Sequence, residues 1–102
     1  MKKADSFKEF VLDQLDGLEG LRAKAMFGGY GLYLGDKFFG ILYKDRLYFK
    51  TTPATAGVYK KAGMKPFKPS AKMTLKNYYE VPVDVLEDRT ELAGWAGKAV
   101  KA

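Results

Sequence analysis

The chain has 102 residues, is 47% hydrophobic and contains neither cysteine nor histidine. These totals predict one domain over residues 1–102, and they exclude disulfides, thiolate chemistry and the usual transition-metal sites, so we expect no cofactor. The net charge is +6, and because there is neither a secretory signal pattern nor an apolar run long enough to span a membrane, we expect a cytoplasmic protein without a membrane partner.

The first predicted element is an amphipathic helix over about residues 5–16. Ser6 and Glu9 fit a capping box at its start. Apolar residues then recur at helical spacing, which predicts one buried face. This face consists of Phe7, Phe10, Val11, Leu15 and Leu18. Gly17 and Gly20 predict its end.

Four short strands follow, at residues 22–27, 30–34, 37–43 and 46–50. Gly35-Asp36 and Lys44-Asp45 separate the last three strands by two residues each, which is the length of a hairpin turn. Gly28-Gly29 predicts a bulge or a sharp bend between the first two strands. A phosphate-binding loop would need a following Gly-Lys-Ser/Thr or a helix, and a strand follows instead.

The second half of the chain reads as helix, loop, strand and helix. Thr52 and Pro53 begin a helix that ends near Ala62, before Gly63. Two prolines in residues 65–72 predict a loop, and residues 73–81 predict a fifth strand. Asp88 with Glu91 fits the capping box of a last helix, whose apolar stripe includes Leu92, Trp95 and Ala99, so that we expect Trp95 in the core.

The predicted order is α-β-β-β-β-α-β-α. Amphipathic helices beside a half-apolar antiparallel sheet favour an α+β fold. We therefore expect two layers, an antiparallel five-stranded sheet with flanking helices.

Residues 22–33, Arg-Ala-Lys-Ala-Met-Phe-Gly-Gly-Tyr-Gly-Leu-Tyr, resemble the signature of the TfoX N-terminal domain family. In that family an arginine precedes Met-Phe-Gly-Gly and Gly-Leu-Tyr. Four more blocks resemble the family in the same order, at residues 45–50, 66–67, 78–82 and 85–88.

The resemblance covers about residues 6–100. It implies an antiparallel sheet flanked by helices and a role in bacterial competence regulation of the TfoX/Sxy kind. It provides no catalytic residues. The long regulators carry a second, C-terminal helical domain, so we expect this chain to be a stand-alone N-terminal domain.

One face of the sheet is the candidate site for a protein partner. Because strand residues alternate between faces, Arg46, Tyr48 and Lys50 lie opposite the apolar Leu47 and Phe49. Three helices are too few to cover both faces of five strands, so we expect this face to contact an unknown protein or a second copy of the chain. The predicted contact residues are Arg22, Tyr30, Tyr33, Arg46, Tyr48 and Lys50.

Two of these predictions have structural alternatives. Arg22 stands at the start of the family motif, and we favour an ion pair with an acid such as Asp45 or Glu80 over a contact with a ligand. The tyrosines of the sheet could instead be covered by a second layer of helices.

The alternative function is weak, sequence-independent nucleic-acid binding. Residues 52–79 contain six lysines and no acid. The lysines are Lys60, Lys61, Lys65, Lys68, Lys72 and Lys76. Such a surface attracts phosphates, and the nearby Tyr59, Phe67, Tyr78 and Tyr79 are candidates to stack on bases. Lysine runs are also ordinary solvated surface.

Catalysis is not expected. The acidic residues of positions 84–91 surround the first turn of the last helix, where the helix dipole favours negative charge. No histidine is present to activate a serine or threonine hydroxyl. A small-molecule sensor would require a closed apolar pocket between the sheet and the helices.

Overall fold

A computed structural model describes residues 3–26, 28–70 and 72–102. Its strands form one antiparallel sheet in the order β1-β2-β3-β4-β6-β5. The strands are β1 (Leu21–Met26), β2 (Gly29–Leu34), β3 (Lys37–Tyr43), β4 (Arg46–Lys50), β5 (Pro66–Ser70) and β6 (Met73–Glu80). The helices are α1 (Lys3–Gln14), α2 (Pro53–Lys61), α3 (Val83–Leu86) and α4 (Arg89–Lys101). The α+β class is confirmed, but the sheet has six strands and not five.

The predicted loop over residues 65–72 is wrong, because residues 66–70 form the edge strand β5. Proline lacks a backbone N–H, and an edge strand tolerates it because one side of the strand has no partner. Phe67 pairs with Leu75 of β6 and is only 1% exposed. The two strands shift register between Pro66 and Phe67 and again before Ser70, so their pairing is irregular.

The bounds of α2 and the start of α4 follow the predictions, whereas α1 lies two residues earlier than the predicted 5–16 and the short helix α3 was not predicted. Helix α1 begins at Lys3, so Ser6 lies inside it and the predicted capping box is wrong. The Thr52 side chain accepts a hydrogen bond from the Thr55 amide at the start of α2, as a helix cap does. Asp88 caps α4 in the same way, by accepting from the Glu91 amide at 3.1 Å.

A glycine-containing turn joins the first two strands of the sheet. Gly28 has a φ of +77°, and Met26 pairs with Gly29, so the predicted sharp bend between β1 and β2 is confirmed. Phe27 lies outside the described residues. A side chain on Gly29 would overlap the Leu42 carbonyl oxygen, and this position therefore requires glycine.

The turn between β3 and β4 has an unusual backbone for its residues. Lys44 and Asp45 both have positive φ, 50° and 61°. This is the type I′ geometry that matches the twist of two-residue hairpins. The predicted two-residue turn at Lys44-Asp45 is thus confirmed.

The four helices pack on one face of the sheet, and the main core lies between the helices and this face. Leu32, Phe49 and Tyr79 contribute to it from the sheet, and Leu15 and Leu92 from the helices. We call the opposite side of the sheet the far face.

A β-bulge interrupts the alternation of side chains in β3. Leu32 pairs with Gly40 whereas Tyr33 pairs with Phe38, which leaves Phe39 as the extra residue. Phe39 is buried in the main core, while Phe38 packs on the far face. Adjacent residues of a strand point to opposite faces in any case, and the effect of the bulge is to place Ile41 on the far face and Leu42 in the main core.

Candidate functional site

The far face has a small apolar core of its own. This far-face cluster consists of buried Ile41, Tyr48, Phe67 and Tyr78, with Phe38, Tyr43 and Leu75 packed against it. Phe67 belongs to the edge strand β5, yet its ring centroid lies 4.6 Å from that of Tyr48 and 5.4 Å from that of Tyr43. Because Tyr43 is in β3, three strands away, the β5 edge must curl over the far face.

This cluster corrects the prediction of an exposed tyrosine face. Tyr48 is only 8% exposed. Burial raises the pKa of the Tyr48 hydroxyl, and nearby Glu80 raises it further. Arg46 is exposed, but its guanidinium is bound to the Glu80 carboxylate at 3.0 Å. Tyr48 is therefore unavailable to a partner, and Arg46 already has one.

The other predicted contact residues lie at three separate places. Tyr30 packs against the main core, with the Lys8 ammonium 4.8 Å from its ring centroid. Lys50 lies at the other end of the sheet, beside α2 and α4. Arg22 and Tyr33 lie together at the β1 edge, since they are paired across β1 and β2. The six residues therefore do not form one continuous surface.

The structure shows a backbone contact for Arg22 in place of the ion pair that was expected with an acid such as Asp45 or Glu80. Its guanidinium donates a hydrogen bond to the Gly35 carbonyl oxygen at 3.0 Å. Glu80, the acid suggested for it, pairs with Arg46 instead. Arg22 is thus held at the end of the β1–β2 hairpin by a neutral backbone group.

The first concave feature, the edge concavity, has a volume of about 280 Å³ and is lined by Arg22, Ala23, Lys24 and Tyr33. Arg22 and Lys24 are both exposed. Sequence reasoning identified Arg22 and Tyr33 but missed Lys24. Its position two residues after Arg22 in the same strand places it on the same face, and this was the available signal.

The second concave feature lies between α2, α4 and the end of β4, and we call it the Trp95 cleft. Its lining residues are Lys50, Thr55, Val58, Tyr59, Trp95, Lys98 and Ala99, and its volume is about 40 Å³. The Trp95 ring packs edge-on against Tyr59, with a centroid distance of 4.7 Å. Burial raises the pKa of the Tyr59 hydroxyl well above its usual value.

Trp95 and Val58 are the residues that sequence reasoning placed wrongly or missed. Trp95 was expected in the core; it packs against the core but is only half-buried, and its free side forms the wall of the cleft. Val58 is 49% exposed. The available signal was its spacing, because Val58 is next to the buried Tyr59 and therefore points away from the buried side of α2.

The lysines of the segment from Lys60 to Lys76 are exposed, but the aromatic residues near them are buried. Lys60, Lys61, Lys65, Lys68, Lys72 and Lys76 are all exposed. In contrast, Tyr59, Phe67, Tyr78 and Tyr79 are all buried. The expectation that these rings stack on bases is therefore wrong. The segment can attract a nucleic acid only through the charge of its lysines.

The described residues form neither a metal-binding cluster nor a helix that could span a membrane. Within residues 3–26, 28–70 and 72–102, no three acidic side chains come together in a way that could hold a metal ion. In the same part of the chain, no helix has the length and apolar character needed to cross a membrane.

The comparisons with known proteins point to one family. The family model described as TfoX N-terminal domain matches residues 13–102. The matched range contains the whole sheet, the edge concavity and the Trp95 cleft. No curated protein matches the chain.

Proposed function

Because the chain belongs to the TfoX N-terminal domain family, we propose that it is a non-enzymatic bacterial regulatory domain that works by contacting a protein partner. The family membership suggests the regulatory role. The Trp95 cleft is the observation that supports contact with a protein, and it replaces the far face as the proposed contact region. Of the residues first predicted for that contact, Lys50 is the one that lies here.

The cleft has the composition of a binding hot spot. Tryptophan and tyrosine in partly closed pockets contribute a large share of the energy of many protein interfaces. Here the half-buried Trp95 is braced by the buried Tyr59, so its position is fixed before a partner binds. The exposed Val58 extends the apolar surface beside it.

Two lysines give the cleft its selectivity. Lys50 comes from the end of β4 and Lys98 from α4, and both line the cleft. An apolar floor with two cations at the rim complements a segment that carries one apolar side chain among acidic residues. We therefore expect an acidic partner segment.

The size of the cleft favours a protein over a metabolite. Pockets for small molecules usually have volumes of roughly 300–1,000 Å³. A volume of about 40 Å³ accommodates the end of one apolar side chain. This supports contact with a protein at this cleft and weighs against a small-molecule site there.

Site-specific photo-crosslinking tests this proposal. A crosslinking amino acid replaces Val58 in one variant and Val83 in a matched control, because Val83 is also an exposed valine, 61% exposed on α3. The variants are expressed in the bacterium that encodes the protein, and crosslinked peptides are mapped by mass spectrometry. We expect a partner with an acidic crosslinked segment at position 58 only, and its loss when Lys98→Glu is added.

The proposal is contradicted if positions 58 and 83 crosslink the same proteins. It is equally contradicted if position 58 crosslinks none, or if Lys98→Glu leaves the crosslinked partner unchanged.

A further inference from the structure

The edge concavity carries a second binding site, independent of the Trp95 cleft. We propose that it binds single-stranded nucleic acid, with a base stacked on Tyr33 and the adjoining phosphates bound by Arg22 and Lys24. These three residues come from the edge strand β1 and its neighbour β2, and they lie on the far face, which the helices leave uncovered.

Strand pairing places the three side chains on one face. Tyr33 pairs with Phe38, which packs on the far-face cluster. Arg22 pairs with Tyr33, and residues paired across neighbouring antiparallel strands share a face. Lys24 follows two residues after Arg22 and so projects to the same side. One aromatic ring therefore lies beside two cations.

Tyr33 is a supported stacking platform. Its ring centroid lies 5.2 Å from that of Phe38, and the Phe38 centroid lies 5.5 Å from that of the buried Tyr78. Tyr33 and Phe38 are half-buried. The row of rings thus leads from the far-face cluster to the edge of the sheet, where Tyr33 is held but still reachable. Bases of every kind stack on such rings.

Gly31 leaves room for the Met26 side chain beside these rings. It pairs with Lys24, so a side chain on Gly31 would point into the same region. A Cβ atom there would lie 2.5 Å from Sδ of Met26, 2.9 Å from Cε1 of Phe38 and 3.4 Å from Cε1 of Tyr33. The Met26 side chain therefore fills part of the space beside the rings, and a residue larger than glycine at position 31 would displace this side chain or the rings.

The cations suit a phosphate backbone. Arginine has five N–H donors in a planar fork, and Arg22 donates one hydrogen bond to the Gly35 carbonyl, which orients the group. Forks of this kind match phosphate oxygens, and Lys24 adds a second charge. The lining of the concavity includes no acidic residue.

A single strand fits better than a duplex or an acidic protein. The concavity of about 280 Å³ lies just below the usual range of ligand pockets, so it can accommodate one nucleotide at a time. In a duplex the faces of the bases are stacked on each other and cannot reach a protein ring. An acidic peptide would satisfy the cations but would leave Tyr33 without a planar partner.

Fluorescence anisotropy with a labelled oligothymidylate of about 12 nucleotides tests the proposal. The variants are Arg22→Gln/Lys24→Gln, Tyr33→Leu and Tyr33→Phe. Lys60→Gln/Lys61→Gln is the matched control, because it removes the same charge from exposed residues at the end of α2. Circular dichroism and thermal melts establish that each variant is folded.

We expect binding that weakens with salt. Arg22→Gln/Lys24→Gln should lower the affinity at least about 10-fold and reduce the slope of log affinity against log salt by about 1.4, at about 0.7 per lost phosphate contact. Tyr33→Leu should lower the affinity about 10-fold without changing that slope, and Tyr33→Phe should restore it, because stacking needs the ring and not the hydroxyl. The control should stay within about twofold of the wild type.

Four results would overturn the proposal. The first is no binding at low salt. The second is an equal loss in the Lys60/Lys61 control, which would mean that only net charge matters. The third is equally tight binding of a duplex of the same length. The fourth is displacement of the oligonucleotide by polyglutamate at equal charge, which would identify the site as a docking surface for an acidic protein.

Discussion

Replacing Phe67 by alanine should strongly destabilise the fold, because this ring closes the far-face cluster. Phe67 is 1% exposed, and its ring lies against those of Tyr48 and Tyr43 at centroid distances of 4.6 and 5.4 Å. Phenylalanine-to-alanine changes in cores cost roughly 3–5 kcal/mol. Since β5 is an edge strand and can relax toward the cavity, we expect the lower end of this range, about 3 kcal/mol.

Urea unfolding followed by Trp95 fluorescence and by far-UV circular dichroism measures this cost. In a thermal melt of a domain of this size, 1 kcal/mol shifts the melting temperature by roughly 4–8 °C. We therefore expect the melting temperature of the variant to fall by about 12–24 °C. Lys68→Ala is the matched control, since Lys68 is the next residue and is exposed. It should change the stability by less than about 0.5 kcal/mol.

A cost below about 1 kcal/mol for Phe67→Ala would refute the reasoning. It would mean that the ring is exposed to solvent in solution, and that residues 66–70 form the loop that their prolines suggest. The far face would then be open, and Tyr48 would again be available to a partner.

Three further predictions concern the turns, the caps and the buried tyrosines. Gly29→Ala should lower the free energy of unfolding in urea by about 1–3 kcal/mol, because the new methyl group overlaps the Leu42 carbonyl oxygen. Gly17→Ala should lower it far less, since Gly17 has open space around it, and equal losses in the two variants would contradict the close approach at Gly29. Asp88→Ala should cost about 1 kcal/mol in a thermal melt, since it removes the cap of α4, and a neutral result would mean that the cap is dispensable. Burial raises the pKa of Tyr59, whereas an unfolded tyrosine ionises near pH 10. The unfolded state therefore releases this proton first, and stability should fall as the pH rises above about 10. Urea unfolding between pH 8 and pH 11 should show a shallower fall for Tyr59→Phe than for the wild type, and parallel curves would contradict this assignment.

The elements defined by neighbouring residues could be predicted from the sequence. The bounds of β3 and β4, 37–43 and 46–50, agree with the structure because the two-residue links at 35–36 and 44–45 set them. The start of α2 agrees as well, since Thr52 and Pro53 form its cap and first turn without help from the rest of the fold.

The candidate sites could be predicted only in part. Arg22 and Tyr33 were identified, and the pairing of β1 with β2 brings them together with Lys24. The position of Lys50 in the Trp95 cleft could not be predicted from the sequence. It depends on how α2 and α4 lie against the end of β4, which no local pattern encodes.

The sequence by itself determined the family, the α+β class and most element boundaries, because those depend on short-range spacing, turn residues and caps. The tertiary structure alone decided which aromatic residues are available for binding. Phe67 covers Tyr48 because β5 curls across the far face, while Tyr33 keeps a reachable ring at the opposite edge. Burial of a side chain depends on residues far away in the chain, and for this reason the residue types of a strand cannot reveal it.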